Sequence, residues 1–253
     1  MTKEKLKYYS SLLLKKYREL EKKFLVEGTK LISEAINSGY SCEILMFTNR
    51  FAEDENMFLM NIKKKRIVYE VINRHELDKL CETKTPQGII GVFDYKYPLE
   101  SQDYAKSGPV FVALEDITDP GNMGAILRNC DWFGITKVML SRGCVEIVNP
   151  KVIRSSAGSV FHLNIFDSDN FYKEIELLKK DNYDILIADL DGSDLYSYKK
   201  KKKIVIVLSN EANGPSKQIL DLSDLVITIP KKGRAESLNV GSASAVFLAE
   251  LTK

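Results

Sequence analysis

The chain has 253 residues, 44% of them hydrophobic, which suits one large domain or two ordinary ones with real cores. No apolar run approaches the length of a membrane span, and the basic start MTKEKLKYYSSLLLKKYREL lacks the sustained apolar region and small-residue cleavage site of a secretory signal. A membrane location is therefore not expected, and Cys42, Cys81, Cys130 and Cys144, which form no C-x-x-C pair, argue for free thiols in a reducing cytoplasm rather than a zinc or redox site.

The net charge of +2 is unevenly spread. Residues 1–98 hold 18 Lys and Arg against 14 Asp and Glu, and the remainder holds 19 against 21. The first 23 residues carry Lys3, Lys5, Lys7, Lys15, Lys16, Arg18, Lys22 and Lys23 against three acidic side chains. Such a stretch is either a solvated helix face or a surface that attracts a phosphate backbone by counterion release. Charge alone does not choose between them.

In chain order, helical spacing first covers residues 12–23. Residues 27–38 then place Leu31, Ile32, Ala35 and Ile36 on one face of an amphipathic helix, which Gly39 stops. Short β-rich runs follow at 42–47 and 66–71, a short helix at 73–80 and a closing strand at 88–95. A polar stretch at about 96–108, with Pro98, Ser101, Ser107 and Gly108, marks a domain boundary. Beyond it, apolar strands at 110–114, 137–140, 184–188, 204–208 and 225–229 alternate with helices at 122–133, from 151, at 171–180 and at 242–251. This alternation predicts a parallel sheet covered on both faces, with ligands beyond the carboxyl ends of its strands. Five lysines at 199–203 read as a solvated turn or as a phosphate contact.

Three loops at those strand ends carry the polar residues of interest. The first, LEDITDPGNMGAILRNCDWFG, turns at Pro120 and Gly121, offers Asn122 as a helix cap, and places Arg128 six residues on, near the same face once the helix winds. It reads as an anion site at a helix start or as an ordinary capped helix with a surface Arg. The second, SNEANGPS, is small and amide-rich, with Glu211 its one charge. It suits an adenosine held by backbone groups, or equally a turn that caps the next helix. The third, IPKKGRAESLNVGSASAVFLAEL, runs into a helix of small residues. Tight packing accounts for those small residues but not for the Ser237-Leu238-Asn239 before them. Neither G-x-G-x-x-G after the first strand of this half nor a P-loop is present. His75 and His162 are isolated, so neither a metal site nor a Ser-His-Asp triad is expected.

Taken in order, these loops resemble the three motifs of the SpoU (TrmH) class of S-adenosylmethionine-dependent RNA 2′-O-methyltransferases. Asn122, Gly124 and Arg128 match N-x-G-x-x-x-R. Asn210, Glu211 and Gly214 match N-E-x-x-G. Ile229, Pro230, Gly233, Glu236, Ser237, Leu238, Asn239 and Val240 match I-P-x-x-G-x-x-E-S-L-N-V. The segment NPKVIRSSAGSVFHLNI at 149–165 is also similar to its family counterpart. KFLVEGTKLISEAINSG at 23–39 and TPQGIIGVF at 85–93 resemble the RNA substrate-binding domain often fused ahead of such enzymes, a small α/β fold like a ribosomal protein. The resemblance implies an RNA-binding domain at 1–98, a linker at 99–108, and an α/β parallel-sheet methyltransferase domain at 109–253 tied in a deep trefoil knot and paired in a homodimer. It further implies S-adenosyl-L-methionine as cofactor and RNA, ribosomal before transfer RNA, as substrate.

By the same resemblance Arg128, Asn122, Glu211, Ser237 and Asn239 form the catalytic set, with Glu211 able to hold the Arg128 cation. Leu208, Ser209, Asn210, Gly214, Ile229 and Leu238 line the cofactor, and no metal takes part. The sequence departs from the family with Ser209 for a usual Gly, Lys231 for a common Met, and Gly241 for a usual Ser. A transfer-RNA ribose methyltransferase, an antibiotic-resistance ribosomal methyltransferase and a non-catalytic RNA-binding protein of the same fold are the competing readings.

Overall fold

The structure is a computed structural model that describes residues 1–95 and 108–253; the expected linker at 99–108 lies outside them except for Gly108. The described residues form two compact units, 1–95 with Glu146–Phe161, and 108–145 with His162–Lys253.

The first unit runs α1 (Lys3–Ser11), α2 (Lys15–Glu21), β1 (Lys23–Glu27), α3 (Thr29–Asn37), β2 (Cys42–Phe47), α4 (Asn49–Asp54), α5 (Asn56–Lys64), β3 (Tyr69–Val71), α6 (Arg74–Leu80) and β4 (Ile89–Asp94). Its sheet has the order β1-β4-β2-β3, with β4 antiparallel to both neighbours and β3 parallel to β2 at the edge. Leu25, Met46, Ile90 and Val92 from the sheet pack with Tyr9, Leu12, Leu77 and Leu80 from the helices. The strand expected at 42–47 and the helix expected at 73–80 are present. The latter is set by a capping box in which Asn73 and Glu76 each satisfy the other's backbone N–H.

The helix expected over 12–23 is shorter. Lys22 adopts the left-handed conformation (φ 52°), which ends α2, and Lys23 opens β1. Phe24, Leu25 and Val26 are all buried, so the strand lacks the alternation that would have distinguished it from a helix continuing past Lys22. The strand expected from residue 66 starts only at Tyr69, after the left-handed Arg66 (φ 56°). Helices α4 and α5 were not expected. Of the eight basic residues near the start, Arg18 is not a surface charge. It is 3% exposed, donates to the carbonyls of Leu12 (2.8 Å) and Leu13 (2.6 Å), and pairs with Glu146. Lys23 pairs with Glu43.

The second unit opens with β5 (Val110–Glu115), α7 (Pro120–Trp132) and β6 (Lys137–Leu140). The chain then contributes α8 (Pro150–Ser155), capped by Asn149, to the first unit. There Phe161 meets Tyr40 (5.1 Å) and Phe24 (6.3 Å), and Arg154 pairs with Glu82 (3.1 Å). It returns as β7 (Asn164–Asp167), α9 (Phe171–Lys180), β8 (Asp184–Asp194), β9 (Ile204–Ser209), α10 (Lys217–Leu222), β10 (Leu225–Thr228) and α11 (Val240–Leu251). Among the described residues these strands form a wholly parallel sheet of order β10-β8-β9-β5-β6-β7. The predicted α/β class holds, with Phe111, Ala113, Val205 and Val207 in a core shared with Ile175 and Leu178 of α9. Strand β7 and helix α10 were not expected, since β7 buries only Ile165 and Phe166 and α10 only Ile219, too few apolar positions to show a period.

Three of the five lysines before β9 act within the unit. Lys200 donates to the Lys253 carbonyl (2.8 Å), Lys201 pairs with the buried Asp184 (2.6 Å), and Lys203 pairs with Asp181 (2.9 Å). All four cysteines are free, and burial pushes the Cys144 thiol up to about 11 and raises that of Cys130.

Strand β8 is longer than expected and irregular. Its register with β10 jumps from Ile187↔Val226 to Ser193↔Ile227, so residues 188–192 have no partner there. At the return Gly192 lies on the Ile227 backbone, where a β-carbon would sit 2.6 to 2.8 Å from three main-chain atoms. A main chain held in a sheet cannot give way as a side chain can. Gly192→Ala should destabilise the protein by about 1–3 kcal/mol, the range for forced overpacking. A urea unfolding midpoint equal to that of the parent would show that the two strands part freely.

Candidate active site

The loop after β5 is shaped by Asp119, not Asn122. The Asp119 side chain accepts from the Asn122 backbone N–H (2.8 Å) and Pro120 takes the first helical position, where a missing N–H costs nothing. With Asp119 as the cap, the Asn122 side chain is released for other work. Its Nδ2 donates to Glu211 Oε1 (3.0 Å) and its Oδ1 accepts from Asn239 Nδ2 (2.7 Å). The same Glu211 Oε1 accepts from the Val240 backbone N–H at 2.6 Å. One carboxylate oxygen and one side-chain amide thus join the loops after β5, β9 and β10.

Further bonds fix each loop. Asn210 Nδ2 donates to the Asp116 carbonyl (2.9 Å) and to Thr118 Oγ1 (3.2 Å), while its Oδ1 accepts from Ala212 N–H (2.8 Å). Asn239 caps α11, its Oδ1 accepting from the N–H groups of Gly241 (3.0 Å) and Ser242 (3.3 Å). Gly241 is buried against Ala125 so closely that a β-carbon there would stand 2.9 Å from the Ala125 β-carbon. That is the close approach the small residues of α11 were expected to allow.

Sequence spacing put Arg128 near the face of α7 that carries Asn122, and this is corrected. Six residues advance an α-helix by about 600°, which leaves Arg128 about 120° away, whereas seven return to the same face. The residue that shares the face is Asn129, which lies outside the matched motif positions. Its Nδ2 donates to the Gly241 carbonyl (2.8 Å) and to Ser244 Oγ (2.8 Å). An asparagine repeated at i and i+7 was the signal for it. Arg128 is exposed, and among the described residues it forms no ion pair with Glu211, whose Oε1 is already engaged.

The residues expected to line a cofactor differ in burial. Leu208 and Ser209 are buried at the end of β9, and the Ser209 hydroxyl is turned to Glu115 Oε2 (2.9 Å). Gly214 takes a left-handed conformation (φ 63°) with open space beside it. Ile229 is half-buried and Leu238 is 50% exposed. Ser237 is exposed on the rim and is not drawn into the Asn122–Glu211–Asn239 network.

A parallel α/β sheet whose strand-end loops meet around a carboxylate and two asparagines defines a ligand-binding catalytic domain. Comparison with known proteins identifies it. Residues 109–249 match the model of the SpoU rRNA Methylase family, and residues 3–91 match that of the MRM3-like substrate binding domain. The chain belongs to the SpoU rRNA methylase family. It is 28% identical over 250 residues, 98% of this chain and 96% of the relative, to the 23S rRNA (guanosine(2553)-2′-O)-methyltransferase RlmP of Bacillus subtilis. Its fold is that of the AdoMet-bound rRNA methyltransferase from Sinorhizobium meliloti (24% identity, TM-score 0.85, 99% of this chain and 95% of that one). It is also that of the SpoU methyltransferase AviRb from Streptomyces viridochromogenes (22% identity, TM-score 0.88, 99% and 97%).

The two jobs of Asn239 can be separated. Asn239→Asp keeps an oxygen that caps α11 but sets an acceptor against the Asn122 oxygen in place of the N–H, so methyl transfer should fall while the α11 cap is retained. Asn239→Ala loses both functions and should also cost about 1 kcal/mol of stability. Denaturant titration and a methylation assay on the two variants check this; full activity in Asn239→Asp would deny the Asn122 bond a role.

Proposed function

We propose that this protein moves the methyl group of S-adenosylmethionine onto a ribose 2′-hydroxyl of 23S-type ribosomal RNA, acting in the cytoplasm as a homodimer. The observation that carries the reading is the junction at Glu211, where the motif residues of all three loops meet in hydrogen-bonding contact. The full-length similarity to a 23S rRNA 2′-O-methyltransferase supports ribosomal RNA as the substrate. The N-terminal match to a substrate binding domain supports residues 1–98 as the part that grips it, with 109–253 as the methyltransferase domain.

The loops suit the cofactor. Among the described residues, the backbone groups of 231–238 make no hydrogen bond, and half of Leu238 is exposed beside them. Free amide and carbonyl groups next to an apolar side chain are what an adenosine needs, the first for its edge and the second for its face. Leu208, Ser209, Asn210, Gly214, Ile229 and Leu238 would hold it. Bound there, it supplies a methyl group on a positive sulfur, an electrophile that requires no metal.

The chain's own work is to present the nucleophile. A ribose hydroxyl attacks poorly while it keeps its proton. A guanidinium offers five N–H donors and no acceptor, so the role assigned to Arg128 is to steady negative charge growing on the 2′-oxygen and on the neighbouring phosphate. The proton leaves that oxygen for the RNA phosphate or water. Asn122 and Asn239, locked to each other and to Glu211, shape the wall against which the ribose is aligned, and Ser237 extends that wall at the rim.

A deep trefoil knot in the C-terminal domain is part of the same proposal. The closeness of Gly241 to Ala125 supports it, since a segment passed through a narrow opening must be slim.

Incubating the protein with total RNA and labelled S-adenosylmethionine, then mapping the label, tests the reading. Label on a 23S ribose is expected; label on transfer RNA only, or none, would overturn it. Arg128→Ala should abolish transfer while leaving cofactor binding by calorimetry nearly intact. Near-normal turnover in that variant would remove Arg128 from the mechanism.

A further inference from the structure

Glu115 ends β5 with a carboxylate only 2% exposed. A buried carboxylate normally lies against a cation. This one instead accepts its hydrogen bonds from neutral donors. Ser209 Oγ (2.9 Å) and Ser216 N–H (3.1 Å) reach Oε2; Ser216 Oγ (2.6 Å) and Tyr172 OH (3.0 Å) reach Oε1.

The location of the donors gives the arrangement its meaning. Ser209 is the last residue of β9 and Ser216 is the cap of α10. Between them lies the loop of Asn210, Glu211 and Gly214, closed internally by Ala212 N–H to Asn210 Oδ1 (2.8 Å) and Gly214 N–H to the Asn210 carbonyl (2.9 Å). Both ends of this loop are drawn onto one carboxylate. Ser209, where the family usually has Gly, supplies one of the two grips.

We infer that Glu115 is a positioning residue for methyl transfer: it sets the loop that presents Asn210, Glu211 and Gly214 to the cofactor. The inference rests on the cofactor reading above. Glu115 touches no reacting atom. It acts by stopping the loop from swinging away from the β9 end, which keeps Glu211 within reach of Asn122 and Val240. Tyr172 ties the same carboxylate to α9, so the anchor does not move with the loop it holds.

The test uses the full-length protein with two separate binding measurements, calorimetry with S-adenosylmethionine and filter binding with ribosomal RNA. Glu115→Gln keeps the volume but replaces one accepting oxygen with an N–H donor facing other donors. Its cofactor Kd should rise roughly tenfold or more, the scale of losing hydrogen bonds to a charged acceptor, while RNA affinity stays unchanged. Ser209→Ala, which removes a single grip and keeps the carboxylate, should shift cofactor affinity in the same direction by less. It decides the matter if Glu115→Gln fails to fold. A lowered melting temperature with unaltered cofactor Kd in these variants would reduce Glu115 to a structural residue and overturn the inference. Absence of cofactor binding by the parent protein would instead overturn the functional reading itself, and the inference with it.

Discussion

Glu211 Oε1 sits where three distant stretches of chain must agree. It accepts from an amide on α7 and from the first backbone N–H of α11, while its own residue belongs to the loop after β9. A carboxylate charge makes such bonds stronger than neutral ones. It also makes the arrangement selective, because an oxygen that already receives two donors has little to offer a third. The three loops therefore meet in a polar junction from which Arg128 stands apart, exposed.

The junction needs a firm base, and the parallel sheet supplies one. Strands β5 and β9 are adjacent and in register from Val110↔Ile204 to Glu115↔Ser209, so the first two loops leave the sheet side by side. Their last paired residues are the ones joined by the Glu115–Ser209 hydrogen bond. The third loop leaves from β10, two strands away from β9, and comes back only because α11 packs along α7 through Asn129, Gly241 and Ser244. The junction thus depends on a helix pair as much as on the sheet. Asn122 and Asn239 are each bonded to other parts of the chain through both side-chain amide atoms, which lets a polar cluster persist at a half-open surface.

The first unit shows the opposite use of charge. A basic N-terminal stretch invites an RNA-binding interpretation, yet Arg18 is consumed in the interior by two carbonyls and Glu146. Of the lysines of α1 and α2, Lys5 pairs with Glu70 (3.9 Å) and Lys15 with Glu19 (3.7 Å), while Lys3, Lys7 and Lys16 are exposed with no ion pair among the described residues. Glu146 arrives from a segment that lies between β6 and β7 in sequence, so the partner of that arginine could not be inferred from local charge counts.

Local sequence determined a good deal. The apolar runs of β2, β5, β6, β8, β9 and β10 and the amphipathic face of α3 were all readable, because burial and periodicity are written in neighbouring residues. The motif residues were readable too, since residue type and order carry their chemistry. Only the tertiary structure decided which of them touch. It gave the cap of α7 to Asp119 and freed Asn122. It put Asn129 rather than Arg128 on the face that meets α11, and it used Glu211 to join two loops instead of holding a guanidinium. It also placed Glu146–Phe161 with residues from the start of the chain. Contacts between residues about 90 to 130 positions apart depend on how elements pack in space, and no pattern confined to a few consecutive residues records that.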